Sequence, residues 1–115
     1  GLCALATAIF MSTLGKQGFR EIAVLNLRKA SYLKNRLANV QNFKIRFSSN
    51  IFNEFVLECP RPVEEVLNYL KKEGIIGGYA LESYYPDLKN CMLICVTELN
   101  SRKEMDILIE KLQAL

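Results

Sequence analysis

The 115-residue sequence contains no histidine and no tryptophan. Without histidine, neither a Ser-His nor a Cys-His nucleophile pair can form, because an imidazole is the general base of both. The four cysteines, Cys3, Cys59, Cys91 and Cys95, lack the close Cys and His spacing of a zinc site, so no metal is expected. Cys91 and Cys95 would share one face of a strand with Leu93, which favours apolar core thiols. Unpaired cysteines indicate a reducing, cytoplasmic location.

Acidic residues are scarce in the first part of the chain. Up to Asn50 there are eight basic residues against one acid, Glu21, a net charge of +7, and the remaining segment has seven against eleven, a net charge of −4. Aromatic residues are not interleaved with the basic ones, and no motif that reads nucleic acid is present. We therefore interpret the basic residues as a solvated surface and expect no nucleic-acid partner.

The first 15 residues contain no charged side chain. This run is shorter than the ~20 residues that span a bilayer, so no membrane segment is expected. The pattern predicts a helix that is apolar on every side, which protein must cover. The chain starts at Gly1 inside this run, without the basic region of a signal peptide, so we expect a fragment of a longer protein. In isolation it should associate with itself through this helix, as a dimer.

Gly15 and Gly18 separate this helix from a second one, predicted from about Phe19 to Asn39. Its apolar stripe has members at steps of three and four residues: Ala23, Leu27, Ala30, Leu33, Leu37 and Val40. Two strands are predicted next, at 43–47 and 52–59, because apolar and polar residues alternate there. The apolar faces of these strands consist of Phe43, Ile45 and Phe47 in the first and Phe55 and Leu57 in the second.

A third helix is predicted to begin at Pro62 and to end at Gly74, where a left-handed cap residue belongs. The following stretch, IIGGYAL, contains Gly77 and Gly78 ahead of a short strand. A phosphate-binding loop would need a strand before the glycines and a helix after them, and the order here is the reverse. We therefore interpret the two glycines as a turn or as a close approach of two backbones.

The last elements are a strongly apolar strand at 91–97 and a helix whose start is marked by Ser101 and Glu104, spaced as a capping box. From Phe52 onward the predicted order is strand, helix, strand, strand, helix. This order indicates an α+β fold, in which two N-terminal helices precede a mostly antiparallel sheet with helices on one face. The expected division is a helical segment at 1–40 and a small α/β domain at 41–115.

Two short segments, GIIGGY at Gly74–Tyr79 and VTEL at Val96–Leu99, carry a family resemblance that extends over nearly the whole chain. The sequence resembles glycine decarboxylase, the pyridoxal-phosphate P protein of the glycine cleavage system, most of all subunit 1 of its two-subunit form. The resemblance implies the small C-terminal domain of a fold-type-I pyridoxal-phosphate enzyme, preceded by the end of the large domain. The resemblance also implies that the Schiff-base lysine belongs to the large domain of the other subunit.

The resemblance also sets expectations for chemistry and partners. The parent enzyme, a heterotetramer, would decarboxylate glycine and pass the aminomethyl group to the lipoyl arm of the H protein, with subunit 2 holding pyridoxal phosphate. No segment here matches the motif of the Schiff-base lysine, so we expect no catalytic or cofactor-binding residue and an inactive isolated chain. Lys16, Lys44 and Lys89 are expected at the surface. Tyr79 and Glu98 are the candidate substrate contacts, and a packed ring and a carboxylate before a helix are their alternative roles.

Two other classes remain open at this level. A free-standing ferredoxin-like domain could bind a regulatory amino acid at the glycine-bearing corner. The small domain of another fold-type-I enzyme, such as an aminotransferase, would commonly hold a substrate carboxylate with an arginine. Arg61 and Arg102 lie at predicted helix starts, which suits that role poorly.

Overall fold

A computed structural model describes all 115 residues of the chain. Its first element, α1, runs over Leu2–Leu37 and is interrupted at Gly15, whose φ of +66° and ψ of 179° are not helical. This backbone conformation is open almost exclusively to glycine. The interruption divides α1 into the two predicted helices, and the second resumes directly after Gly15 rather than at Phe19.

The remaining elements form a sheet with two further helices. They are β1 (Lys44–Ile45), β2 (Glu54–Glu58), α2 (Val63–Lys72), β3 (Tyr79–Ala80), a 3-10 turn (Pro86–Leu88), β4 (Cys91–Cys95) and α3 (Arg102–Gln113). The strand order is β1-β2-β4-β3, and every neighbouring pair is antiparallel. The predicted α+β fold class is confirmed.

The sheet has one face against the helices and one open face. Because β2 pairs with β4 so that Phe55 lies opposite Ile94 and Leu57 opposite Met92, these four side chains point to the same side. There they join a single core that includes residues of all three helices: Ala30, Leu33, Leu37, Val63, Val66, Leu70, Met105, Leu108, Ile109 and Leu112. The alternation predicted for Phe55 and Leu57 is confirmed.

Three predicted core positions are wrong. Leu27 is 42% exposed, whereas its neighbour Asn26 is buried. The face of α1 that packs on the core includes this polar residue, and a prediction made from apolar residues alone does not count it. Phe47 is exposed because β1 ends at Ile45 and the chain leaves the sheet after the Arg46 N–H bond to the Val56 carbonyl. Cys95 is exposed on the open face of the sheet, opposite Glu54.

The N-terminal segment of α1 extends beyond the core. Its large apolar side chains are exposed: Leu2, Leu5, Ile9, Phe10 and Met11. The first buried residue of α1 is Asn26, and from there the helix packs on the sheet. None of the helices combines the length and the hydropathy that crossing a membrane requires. The sequence predicts that protein covers this segment, and within the chain itself nothing does.

Candidate functional site

Helix α2 ends at the first glycine of the corner in a Schellman motif. Gly74 has φ +76°, and its N–H donates to the Lys71 carbonyl at 3.0 Å while the Ile75 N–H donates to the Leu70 carbonyl at 2.9 Å. These two bonds satisfy carbonyls at the helix end and reverse the chain direction. The helix therefore ends at Gly74, as predicted, through hydrogen bonds between main-chain groups.

Gly77 and Gly78 fill a narrow passage between α2 and β4. A Cβ on Gly77 would overlap the side chain of Leu70, and a Cβ on Gly78 would lie 2.6 Å from the carbonyl oxygen of Leu93. Since atoms at ordinary contact are 3.4–4 Å apart, only glycine lets the chain enter β3 this close to the backbone of β4. The two glycines therefore permit close packing of the backbones, as expected from their position before the strand.

The second characteristic segment forms a turn at the end of β4. The Asn100 N–H donates to the Thr97 carbonyl at 3.2 Å, and the Asn100 side-chain oxygen accepts from the Thr97 N–H at 2.8 Å. Ser101 then starts α3: its N–H donates to Glu104 Oε2 at 2.7 Å, and its Oγ accepts from the Glu104 N–H at 3.2 Å. These bonds with Ser101 form the capping box and lower the pKa of Glu104.

Because β3 and β4 are antiparallel, the glycine corner before β3 and the turn after β4 meet at one end of the sheet. A groove of about 440 Å³ lies between them. Its lining is mostly apolar and includes Leu33, Ile75, Ile76, Gly77, Ile94, Val96, Met105 and Leu108. The Ile76 side chain of this lining is 97% exposed, and Leu99 in the turn after β4 is 82% exposed.

The polar residues of the groove are mainly acidic. Glu73 and Glu104 line it together with Asn100 and the Cys95 thiol. Glu73 pairs with Lys111 at 2.7 Å, and the hydrogen bond that the Lys111 ammonium donates to the Glu73 carboxylate raises the pKa of Lys111. Such a lining suits an apolar side chain better than an anionic ligand.

Neither candidate contact residue lines this groove. Tyr79 lies on the open face of the sheet, 55% exposed, with its ring centroid 6.0 Å from that of Tyr84. A hydrogen bond with Tyr84 raises the pKa of Tyr79. Glu98 lies half-buried in the turn after β4. The structure thus places the two residues near the same end of the sheet without joining them in one cavity.

The thiols of the sheet are poor nucleophiles. Burial, reinforced by the neighbouring Cys91 and Glu58, raises the pKa of Cys59 from 9.0 to about 12. Burial also raises the pKa of Cys91 and of Cys95. Since the thiolate is the reactive form, the raised pKa values lower the reactivity of these thiols near neutral pH. No group of three or more carboxylates and thiols is arranged to hold a metal ion.

Lys29 is the residue of this region that sequence patterns missed. Its ammonium donates to the Glu98 carbonyl and, at 2.6 Å, to the Asn100 carbonyl. In the sequence Lys29 is one of several basic residues on the polar side of a helix. Its partners lie 69 and 71 positions away, and no local pattern records a contact at that distance.

The fold of the chain matches parts of larger enzymes of known structure. A crystal structure of glycine decarboxylase (P-protein) of the glycine cleavage system superposes with a TM-score of 0.81 at 28% identity, covering 93% of this chain and 24% of that one. The cystine C-S lyase C-DES shares the fold at a TM-score of 0.70 and 13% identity, over 82% of this chain and 24% of that one. A NifS-like protein shares the fold at a TM-score of 0.68 and 17% identity, over 85% of this chain and 29% of its own.

Sequence comparison narrows the class to one family. The Glycine cleavage system P-protein family pattern matches residues 1–112, and the chain belongs to this family. "Probable glycine dehydrogenase (decarboxylating) subunit 1" of Brevibacillus brevis is 48% identical over 99% of this chain and 25% of its own length. The protein of the same name from Anoxybacillus flavithermus is 45% identical over 96% and 25%.

The family resemblance predicted from the sequence is thereby confirmed, in preference to a ferredoxin-like regulatory domain or an aminotransferase. The chain spans about a quarter of the length of the curated relatives it matches. Arg61 and Arg102 are engaged within the fold: Arg61 donates to the Leu115 carbonyl, and Arg102 pairs with Asp106.

Proposed function

We propose that this chain is the small-domain portion of a glycine decarboxylase subunit 1. The parent enzyme would decarboxylate glycine with pyridoxal phosphate and transfer the aminomethyl group to the lipoyl group of the H protein. The observation that carries this proposal is that one protein class matches both the sequence, over residues 1–112, and the fold, with a TM-score of 0.81. In this proposal residues 1–40 connect to a large domain and residues 41–115 are the small domain.

The residues of this chain do not fit pyridoxal phosphate. A Schiff-base lysine needs a desolvated pocket, whereas Lys16, Lys44 and Lys89 are exposed and the ammonium of Lys29 is bonded to two carbonyls. The groove at the glycine corner has Glu73 and Glu104 on its wall, which disfavours a phosphate group. In the proposal, subunit 2 holds the cofactor, as the family resemblance implies, and this chain has structural and substrate-facing roles.

A direct test of the cofactor assignment is chemical. The isolated chain is mixed with pyridoxal phosphate, reduced with borohydride and measured by mass spectrometry. We expect no pyridoxyl adduct in one-to-one stoichiometry, because no lysine is held in a desolvated pocket. A stoichiometric adduct on one lysine would contradict the assignment.

The candidate substrate contacts of the proposed enzyme are Tyr79 and Glu98. Glu98 is supported by its place in the VTEL segment at the carboxyl end of β4, and Tyr79 by the exposed hydroxyl-bearing ring on the neighbouring strand. A carboxylate is suited to an ammonium group such as that of glycine, and a tyrosine hydroxyl can donate to a carboxylate. The two residues are separate proposals because they do not share the groove.

The proposal is tested by transplanting the chain. In the Brevibacillus brevis relative, the quarter that aligns with this chain is replaced by residues 1–115. The chimera is coexpressed with subunit 2 of the same organism and supplied with H protein, and release of carbon dioxide from carboxyl-labelled glycine is measured. We expect the chimera to assemble and to retain activity within about tenfold of the natural subunit.

Two controls frame this measurement. A subunit from which the quarter is deleted should lose activity, and a chimera that carries the aligned segment of the NifS-like protein, which shares only the fold, should lose it too. A transplant that assembles with subunit 2 but releases no carbon dioxide would refute the proposed function. Within an active chimera, Glu98→Gln and Tyr79→Phe then test the two contacts separately through the KM for glycine.

A further inference from the structure

Lys29 connects α1 to a turn that is distant in sequence. Both of its hydrogen bonds are partly buried, and both acceptors are main-chain carbonyls of the turn that follows β4. Hydrogen bonds from a charged donor are stronger than those between neutral groups. A lysine can normally extend into solvent, whereas the ammonium of Lys29 is held by the main chain of Glu98 and Asn100.

Among the hydrogen bonds of the turn, those donated by Lys29 are the ones that come from α1. Within itself it is closed by the bonds between Thr97 and Asn100, and Ser101 anchors its end on α3. The Lys29 charge also acts on the adjacent capping box, where it adds to the larger effect of Ser101 in lowering the pKa of Glu104. The loop between β4 and α3 is thus fixed from the helix side by one ammonium group.

A second contact joins α1 to α3 about one helical turn further along α1. It does not involve the loop between β4 and α3. The Tyr32 hydroxyl bonds to the Asp106 carboxylate, and the Arg102 guanidinium lies 4.9 Å from the centroid of the Tyr32 ring. Tyr32 therefore contributes to the packing of the two helices, and its hydrogen bonds are with Asp106 and Arg36 rather than with residues 97–100. A substitution of Tyr32 is therefore a matched control for any effect of Lys29.

We infer that Lys29 is a positioning residue that holds the turn at residues 97–100, and through it the Glu98 carboxylate, in the orientation required for contact with glycine. This inference rests on the proposed function, and it deepens the role of the VTEL segment. Lys29 acts through its two carbonyl acceptors and not by touching substrate. Loss of the ammonium leaves both carbonyls without their donor, so the turn samples other conformations.

The experiment uses the active transplanted subunit assembled with subunit 2. The variants are Lys29→Met, Lys29→Arg and the control Tyr32→Phe, and the measurements are hydrogen exchange of the peptide covering residues 96–101 and the steady-state constants for glycine. For Lys29→Met we expect exchange of this peptide to be about tenfold faster or more, with KM raised about tenfold and a smaller change in kcat. Lys29→Arg, which retains a charged donor, should recover part of both.

Tyr32→Phe should leave both the exchange at 96–101 and the KM close to those of the parent. If it loosens the peptide as much as Lys29→Met, Lys29 has only a general structural role and the inference fails. It also fails if Lys29→Met exchanges faster at unchanged KM, a result that leaves the decarboxylase function intact. Loss of activity in the parent transplant refutes the proposed function instead. Should Lys29→Met not fold, Lys29→Gln, a shorter and neutral donor, takes its place, and we expect the same direction of change in exchange and KM but a smaller size.

Discussion

Replacement of Gly78 by alanine tests whether the glycine pair exists to let β3 approach β4. The new Cβ would lie 2.6 Å from the carbonyl oxygen of Leu93, and ordinary contact begins at 3.4 Å. The obstacle is main chain, which cannot rotate away, so β3 must move outward where Tyr79 pairs with Leu93. Overpacking costs about 1–3 kcal/mol and a weakened strand hydrogen bond about 1 kcal/mol, so we expect a loss of about 2–4 kcal/mol in unfolding free energy.

Two other glycines calibrate this value. Gly77→Ala meets the side chain of Leu70, which can change rotamer at the cost of repacking, so a smaller loss of about 1–2 kcal/mol is expected. Gly18→Ala meets Leu14 atoms no closer than 3.4 Å within a helix, where alanine is favoured over glycine by up to about 1 kcal/mol. It should be neutral or stabilising.

The assay is urea unfolding followed by circular dichroism, with the three variants and the parent measured at one protein concentration. The expected order of unfolding free energy places Gly78→Ala lowest, then Gly77→Ala, with Gly18→Ala at or above the parent. Faster hydrogen exchange at β3 should accompany Gly78→Ala alone. Equal stability of Gly78→Ala and the parent would show that β3 does not approach β4 as closely as described and would refute the packing explanation.

Three further predictions concern the cap, a buried thiol and the exposed helix. Gly74→Ala should cost about 1 kcal/mol because φ is +76° while space around the position is open, and an unchanged denaturation midpoint would mean that α2 ends differently. The folded-state pKa of Cys59, about 12, lies above its ordinary 9.0, so its contribution to stability is complete below pH 9 and lost as the pH rises towards 12; Cys59→Ala should flatten this fall, and parallel curves would contradict the burial. Finally, the isolated chain should form dimers at micromolar to millimolar concentration, whereas a version starting at Lys16 should be monomeric in sedimentation equilibrium. If both are monomers, the apolar segment does not mediate self-association.

The fold was largely predictable because most of its determinants are local. Alternation at Phe55 and Leu57 follows from the two-residue period of a strand, and the Ser101 and Glu104 capping box from a spacing of three residues. Gly74 is recognisable as a helix end because a left-handed residue excludes most side chains. Each of these patterns depends on neighbours within one turn or one strand, which the sequence displays directly.

The misses have a common physical cause, since each depends on a partner far along the chain. Leu27 and Asn26 differ by one helical position, and only the placement of α1 on the sheet decides which of them is buried. Phe47 continues the alternation of a strand, yet β1 pairs with β2 over two residues only. Lys29 cannot be distinguished from other basic helix residues until the turn at 97–100 is placed beside it.

Because α1 is interrupted at Gly15, a small rotation at that residue moves the whole first helical segment. The 13 residues at 2–14 form an arm of about 20 Å at 1.5 Å per residue, attached to the rest of α1 through one backbone position. A change of about 20° at that position displaces the far end by roughly 7 Å, comparable with the width of a helix backbone. Where the apolar arm points is therefore set by two dihedral angles of a residue that makes no side-chain contact of its own, and a substitution there would redirect the arm while the sheet and its core stay unchanged.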